Sequence, residues 1–152
     1  ADETLNIISD LTTHESEILS NFKYRKNKAV IHSDESSMPK NRKAWCSWNS
    51  SLNPKNNQQS SVTYWLNQLQ NLKINKNIFL TINPFFDINP DVIYNTIDFT
   101  HPYYDEKALE NQSKLSSIQN INNTLYAGSY FGYGFHEDGI KSSIDMLKTL
   151  ND

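Results

Sequence analysis

The chain has 152 residues, carries a net charge of −3, and is 37% hydrophobic by composition. That length supports a sizeable core, while a mean hydropathy of −0.67 and the lack of a long apolar run argue against a membrane span. The acidic balance gives no electrostatic case for nucleic acid or an anionic membrane surface. One cysteine, Cys46, excludes an internal disulfide and fits a reducing, cytoplasmic setting.

In chain order, residues 2 to 10 read as a helix with Leu5, Ile8 and Leu11 on its apolar face. Thr12 and Glu15 form the signature of a capping box, and Ile18 with Phe22 supplies an i, i+4 apolar pair. Tyr24 and Ala29 to His32 predict a strand, followed by a loop from Ser33 to Asn41. Ala44 to Trp48 alternates and is expected to pair antiparallel with Val62 to Leu66, with the Asn-rich stretch from Ser50 to Gln59 as the turn between them. Leu66, Leu69 and Leu72 begin a short helix or extend that strand. Ile78 to Ile82 is a further strand, stopped by Asn83-Pro84, and Val92 to His101 another, stopped by Pro102. Asp105 to Ile118 predicts a helix and Asn120 to Thr124 a turn. Leu125-Tyr126-Ala127 predicts a short buried strand. A final helix follows, with Ile140, Ile144 and Leu147 as a buried stripe.

All four glycines, Gly128, Gly132, Gly134 and Gly139, fall between that last strand and that last helix. Strand, glycine turn and helix N-terminus present free backbone N–H groups and a positive helix end to an anionic or electron-rich ligand. Tyr126, Tyr130, Phe131, Tyr133 and Phe135 crowd the turn, which suits a flat ring better than a bare phosphate. The bland alternative is that Glu137 or Asp138 simply caps the helix.

Other candidates are weaker. Trp45, Trp48, Tyr64 and Trp65 could line a substrate cavity, although tryptophans on strands more often fill cores. His32 and Asp34, two apart on a strand, share a face and could form an acid–base pair. His101 ends a strand. The four histidines are scattered and there is no C-x-x-C, so a zinc site is poorly supported. G-x-S-x-G, the P-loop and G-x-G-x-x-G are all absent.

The run Gly134-Phe135-His136-Glu137-Asp138-Gly139-Ile140 resembles the last flavin-contacting motif of the flavin-containing amine oxidase superfamily. More narrowly, nearly the whole chain resembles the C-terminal portion of a bacterial group of amine-oxidase-like NAD/FAD-binding oxidoreductases. The further marks are Ile31-His-Ser-Asp, Ala44-Trp-Cys-Ser-Trp-Asn49, Val62 to Leu72, Leu80-Thr-Ile-Asn-Pro84 and Phe99-Thr-His-Pro102. The resemblance implies an α+β chain. An antiparallel substrate-side sheet would span about 24–102, and about 1–23 and 103–152 would belong to a Rossmann-like FAD-binding domain, contributing its C-terminal strand and helix. It implies FAD contacts at Gly128, Ser129, Phe135, His136, Glu137, Asp138, Gly139 and Ile140. Separately from the resemblance, the aromatics Trp45, Trp48, Tyr64 and Tyr133 are the candidate substrate-lining residues. Two departures stand out: Ser129 replaces the Glu that many amine oxidases carry, and Phe135 replaces their Tyr.

Ala1 runs straight into a helical pattern, so the chain reads as a piece of a longer protein lacking the part that grips the ADP half of FAD. Its expected partners are that N-terminal FAD-binding part and a small-molecule substrate, with self-association through an open sheet edge as a further possibility. The expected function is that of an FAD-dependent oxidoreductase, inactive as an isolated piece. The alternative is a non-enzymatic module that binds a small ligand or a protein. The substrate, the electron acceptor and the use of NAD are not legible.

Overall fold

A computed structural model describes residues 1–150. The chain divides into two units, one formed by Ala1–Arg25 with the chain from His101 onward, the other by Lys26–Thr100. The whole is α+β with a five-stranded antiparallel sheet.

The first unit starts with a single helical turn, α1 (Thr4–Ile7). The longer helix expected over residues 2 to 10 does not form. No side chain caps it, and Ile8 turns extended. Helix α2 (Thr13–Leu19) is held by a full capping box, in which Thr12 Oγ1 accepts the Glu15 N–H and the Glu15 carboxylate accepts the Thr12 N–H. It delivers Ile18 and Leu19, with Phe22 just beyond, into a core completed by Ala108, Leu115, Ile118, Tyr126 and Tyr130. Helix α4 (Glu106–Gln112) is capped by Asp105, whose carboxylate accepts the Ala108 N–H. The expected helix to Ile118 is interrupted. Ser113 donates its hydroxyl back to the Glu110 carbonyl, and Leu115–Ile118 forms a separate 3₁₀ turn.

Two further expectations fail here. Leu125 to Ala127 is not a strand. The Gln119 side chain takes both the N–H and the C=O of Tyr126, leaving nothing for a ladder, and the nearest pairing is one bridge between Ile121 and Thr124. Helix α5 (His136–Lys148) forms, but Ile140, Ile144 and Leu147 lie 53–56% exposed. The face that turns inward instead carries Ser142, which is buried and accepts the Gly128 N–H while donating to the Gly139 carbonyl.

The second unit is built on the sheet, in the order β2-β3-β4-β1-β5. β1 (Lys23–His32) and β5 (Ile93–Tyr103) carry the chain across the unit boundary. β5 runs through Pro102 rather than stopping at it, which an edge strand tolerates because no neighbour requires that N–H. β4 (Phe79–Ile82) ends at Asn83, which takes a positive φ of 49°. α3 (Leu66–Leu69) is one short turn.

The stretch from Ala44 to Gln59 departs from expectation. Arg42–Ala44 is a 3₁₀ turn, and the strand starts only at Trp48. β2 (Trp48–Asn53) and β3 (Asn56–Trp65) make a tight hairpin out of the polar run expected to be a turn. The Asn53 carboxamide accepts the Lys55 N–H and closes the turn. Between Asn49 and Ser61 the strand residues are mostly Ser, Asn and Gln and carry almost no hydrophobic period, so this extension of the hairpin has no apolar signal to betray it.

Register sorts the sheet into two unlike faces. Val30, Thr81, Thr63 and Asn49 align across four strands, flanked by His32, Phe79 and Trp65, and all of these but Trp65 are buried. The opposite face aligns Ile31, Leu80, Tyr64 and Trp48, and beside them Ala29, Ile82, Val62 and Ser50. Its Trp48 is 64% exposed. The buried face is therefore the more polar one, satisfied by side-chain hydrogen bonds, and the apolar face is partly open.

Candidate functional site

The turn ahead of α5 is shaped by what its glycines leave room for. Gly134 adopts φ +92°, a left-handed conformation costly for any side chain, and a Cβ there would meet the Tyr104 hydroxyl at 3.0 Å. At Gly132 a Cβ would collide with the Asp138 carboxylate. That carboxylate curls back over the turn and accepts the N–H groups of Tyr133 and Phe135, each at 2.9 Å. Asp138 is thus the cap that the sequence offered as an alternative. Its negative charge also sits favourably at the positive end of the helix.

Capping by Asp138 leaves the amides of His136, Glu137 and Asp138 in the first turn of α5, where no intrahelical acceptor exists. Tyr133, Phe135, His136, Glu137 and Ile140 around them are exposed, Tyr133 by 77% and Phe135 by 68%. The Tyr104 hydroxyl beside Gly134 is buried without a hydrogen-bond partner. Burial, and then the nearby Asp138, push that phenol above its ordinary pKa, so it stays a donor. Among the described residues this is the one buried side-chain polar atom left unsatisfied.

For a flavin edge these residues fit at one end of the motif. First-turn amides, an unpaired hydroxyl and an exposed aromatic lie together around residues 133–140. At the other end the chain fills its own space. The ring of Tyr130 occupies the position a Cβ on Gly128 would take, and the Gly128 N–H is already bound to Ser142. Ser129 opens a 3₁₀ turn (Ser129–Phe131), and its carbonyl accepts from Gly132 and Gly134. Gly139 meets only the Ser129 nitrogen, at 3.7 Å from a hypothetical Cβ.

Two glutamines that composition could not single out brace the turn. Gln112 donates to the carbonyls of Tyr130 and Gly132, and Gln119 clamps Tyr126. No periodicity marks either; a glutamine in a helical stretch reads as solvated. Beside α5 lies an open cavity of about 480 Å³, lined among others by Leu115, Phe131, Asp138, Lys141, Asp145 and Met146.

The candidate substrate residues fall on different elements. Trp48 and Tyr64 meet edge-to-face at 5.1 Å on the open apolar face of the sheet. Trp45 lies outside the strands and caps the buried face, 5.3 Å from Trp65 and 5.8 Å from Phe79, with its indole N–H donated to the Pro39 carbonyl. Tyr133 belongs to the α5 turn. The expected His32–Asp34 acid–base pair does not form through the carboxylate. The Asp34 backbone N–H donates to His32 Nδ1, while the Asp34 carboxylate accepts from Ser36 and Asn89. His101 Nδ1 lies 3.0 Å from the carbonyl of Pro102. No cluster of His, Cys, Asp and Glu suited to a metal ion occurs among the described residues, and none of their helices is long and apolar enough to cross a membrane.

No protein-family model matches this chain, and no curated protein matches it.

Proposed function

We propose that this chain is the C-terminal, substrate-side and flavin-capping portion of an FAD-dependent oxidoreductase of amine-oxidase-like type. One observation carries the reading. The Gly134–Ile140 motif falls on the first turn of α5, where amides of His136 to Asp138 lack helical acceptors and the Tyr104 hydroxyl lacks any. Those donors would hold the pyrimidine edge of the flavin, with Phe135 against its ring. When bound, the flavin supplies the hydride-accepting chemistry, and no side chain of this chain need act as acid or base. The outward stripe of Ile140, Ile144 and Leu147 suits coverage by the N-terminal FAD-binding part of the same protein. A cytoplasmic setting accords with the single exposed thiol of Cys46.

The test is an FAD titration followed by flavin absorption, on this chain and on the full-length protein. Yellow full-length protein and a weakly binding isolated chain are expected. Gly139→Val in the full-length protein, which presses a branched side chain toward Ser129, should lower FAD occupancy. If neither form binds FAD, the proposal is wrong.

The same stripe and the cavity along α5 favour a second reading, a non-enzymatic module for a small apolar ligand or a protein. Saturable binding of an apolar dye, competed by apolar ligands, with no FAD binding by either form, would select it.

A further inference from the structure

His32 is completely buried at the end of β1, and both of its ring nitrogens are engaged. Nδ1 accepts the Asp34 N–H at 3.1 Å and therefore carries no proton. Nε2 consequently holds the proton and donates it to Thr81 Oγ1 at 2.7 Å. Thr81 Oγ1 lies 2.9 Å from Thr63 Oγ1, so the imidazole heads a hydroxyl chain across β1, β4 and β3. Asp34 opens the segment that covers this face. Its carboxylate caps the 3₁₀ turn Glu35–Ser37, and beyond that turn Met38 is buried and Trp45 stands edge-on to Phe79.

We propose that His32 is an acid-sensitive latch, whose protonation at Nδ1 releases the covering segment 33–47 from the sheet. A proton on Nδ1 would face the Asp34 N–H head-on, donor against donor, in a site closed to water. The charged group acting on the ring is the Asp34 carboxylate, which favours protonation. Burial is the larger influence and holds the His32 pKa below its ordinary 6.5. β4 presents Phe79 and Thr81, and β3 presents Thr63, none of them charged. The adjoining Glu35 is turned toward Asn77 and Arg42. His32 is also the one histidine between Lys26 and Thr100, so no other side chain of that unit has an ordinary pKa between 5 and 8.

The sign follows from linkage. The ring binds its proton more readily in the open segment than in the closed one, so the closed form is unpenalised above about pH 6.5. Below that value the open population should grow by up to about tenfold per pH unit until the closed-form pKa is reached. The experiment is amide hydrogen exchange of the intact chain from pH 7.5 to 5, corrected for intrinsic rates, with nitrogen NMR of the imidazole. Protection at Asp34, Ser36 and Met38 should fall progressively below pH 6.5, by up to about fivefold at pH 5.5, while amides of α2 and α4 hold. The same amides in His32→Asn, which keeps an acceptor near Nδ1, should show no such pH dependence. Unchanged protection in the wild type down to pH 5, loss shared equally by α2 and α4, or an Nδ1-protonated ring at pH 7.5 would overturn the proposal. The wild-type measurements decide it even if the variant does not fold.

Discussion

Tyr126→Phe deletes one oxygen from the core of the first unit. The Glu15 carboxylate, 1% exposed, accepts three hydrogen bonds: from the Tyr126 hydroxyl at 2.6 Å, from Thr12 Oγ1 at 2.5 Å and from the Thr12 N–H at 2.7 Å. Burial alone would raise its pKa, but the hydrogen bonds from Thr12 and Tyr126 outweigh burial and hold it below the ordinary 4.5. A hydrogen bond to a buried charge is worth about 1.5–3 kcal/mol, so the variant should lose about 2 kcal/mol at pH 7 in urea unfolding. Because Glu15 titrates lower when folded than unfolded, its contribution is present above about pH 4.5 and is lost as pH falls through the folded value. The gap between wild type and variant should therefore narrow steadily below pH 4.5. Parallel stability curves from pH 7 to pH 3, or a loss under about 0.5 kcal/mol at pH 7, would refute the account of Glu15 as a charged, triply bonded acceptor.

Asp138→Ala should cost about 1–2 kcal/mol in chemical unfolding, through two lost bonds to the turn and one favourable charge, with Asp138→Asn intermediate; a neutral Ala variant would remove Asp138 from the cap. Tyr104→Phe should leave thermal stability unchanged or raise it by up to about 1 kcal/mol, since the hydroxyl it removes has no partner; a clear loss would reveal one. Trp45→Ala should cost about 3 kcal/mol and leave a void against Trp65 and Phe79; a variant of full stability would move Trp45 from packing to a ligand wall. Gly139→Ala should stabilise α5 by about 0.5–1 kcal/mol because its Cβ meets only an ordinary contact.

What the sequence declares depends on whether a residue's partner is near in the chain. The Thr12–Glu15 box, β1 and β4 are legible because each rests on local chemistry: a cap three residues away, or a run of β-formers ended by a turn. The Val62–Trp65 end of β3 is legible from its β-formers, whereas the rest of the β2–β3 hairpin, from Asn49 to Ser61, is hidden because it is almost entirely Ser, Asn and Gln. Leu125 to Ala127 has the composition of a strand but no neighbour to pair with, since Gln119 reaches it first. The spacing of Ile140, Ile144 and Leu147 correctly marks one helix face, but periodicity cannot say toward what that face points. At the site, Asp138 is readable as a cap from its place after the glycines, whereas Gln112, Ser142 and Tyr104 act across long sequence separations and leave no local trace.

The threading of the units predicts an order of assembly. The Lys26–Thr100 unit is continuous in sequence, while the other is written in two instalments at opposite ends. Bringing those instalments together from an unstructured middle would cost loop-closure entropy on the order of 4 kcal/mol. Once the sheet exists, β1 and β5 lie side by side, and the ends they carry are already neighbours. A nascent chain can therefore complete its middle first and use it as the clasp that draws α2 to α4, a sequence that pulse-labelled exchange during refolding would record as early protection in β3 and β4 and late protection in α2.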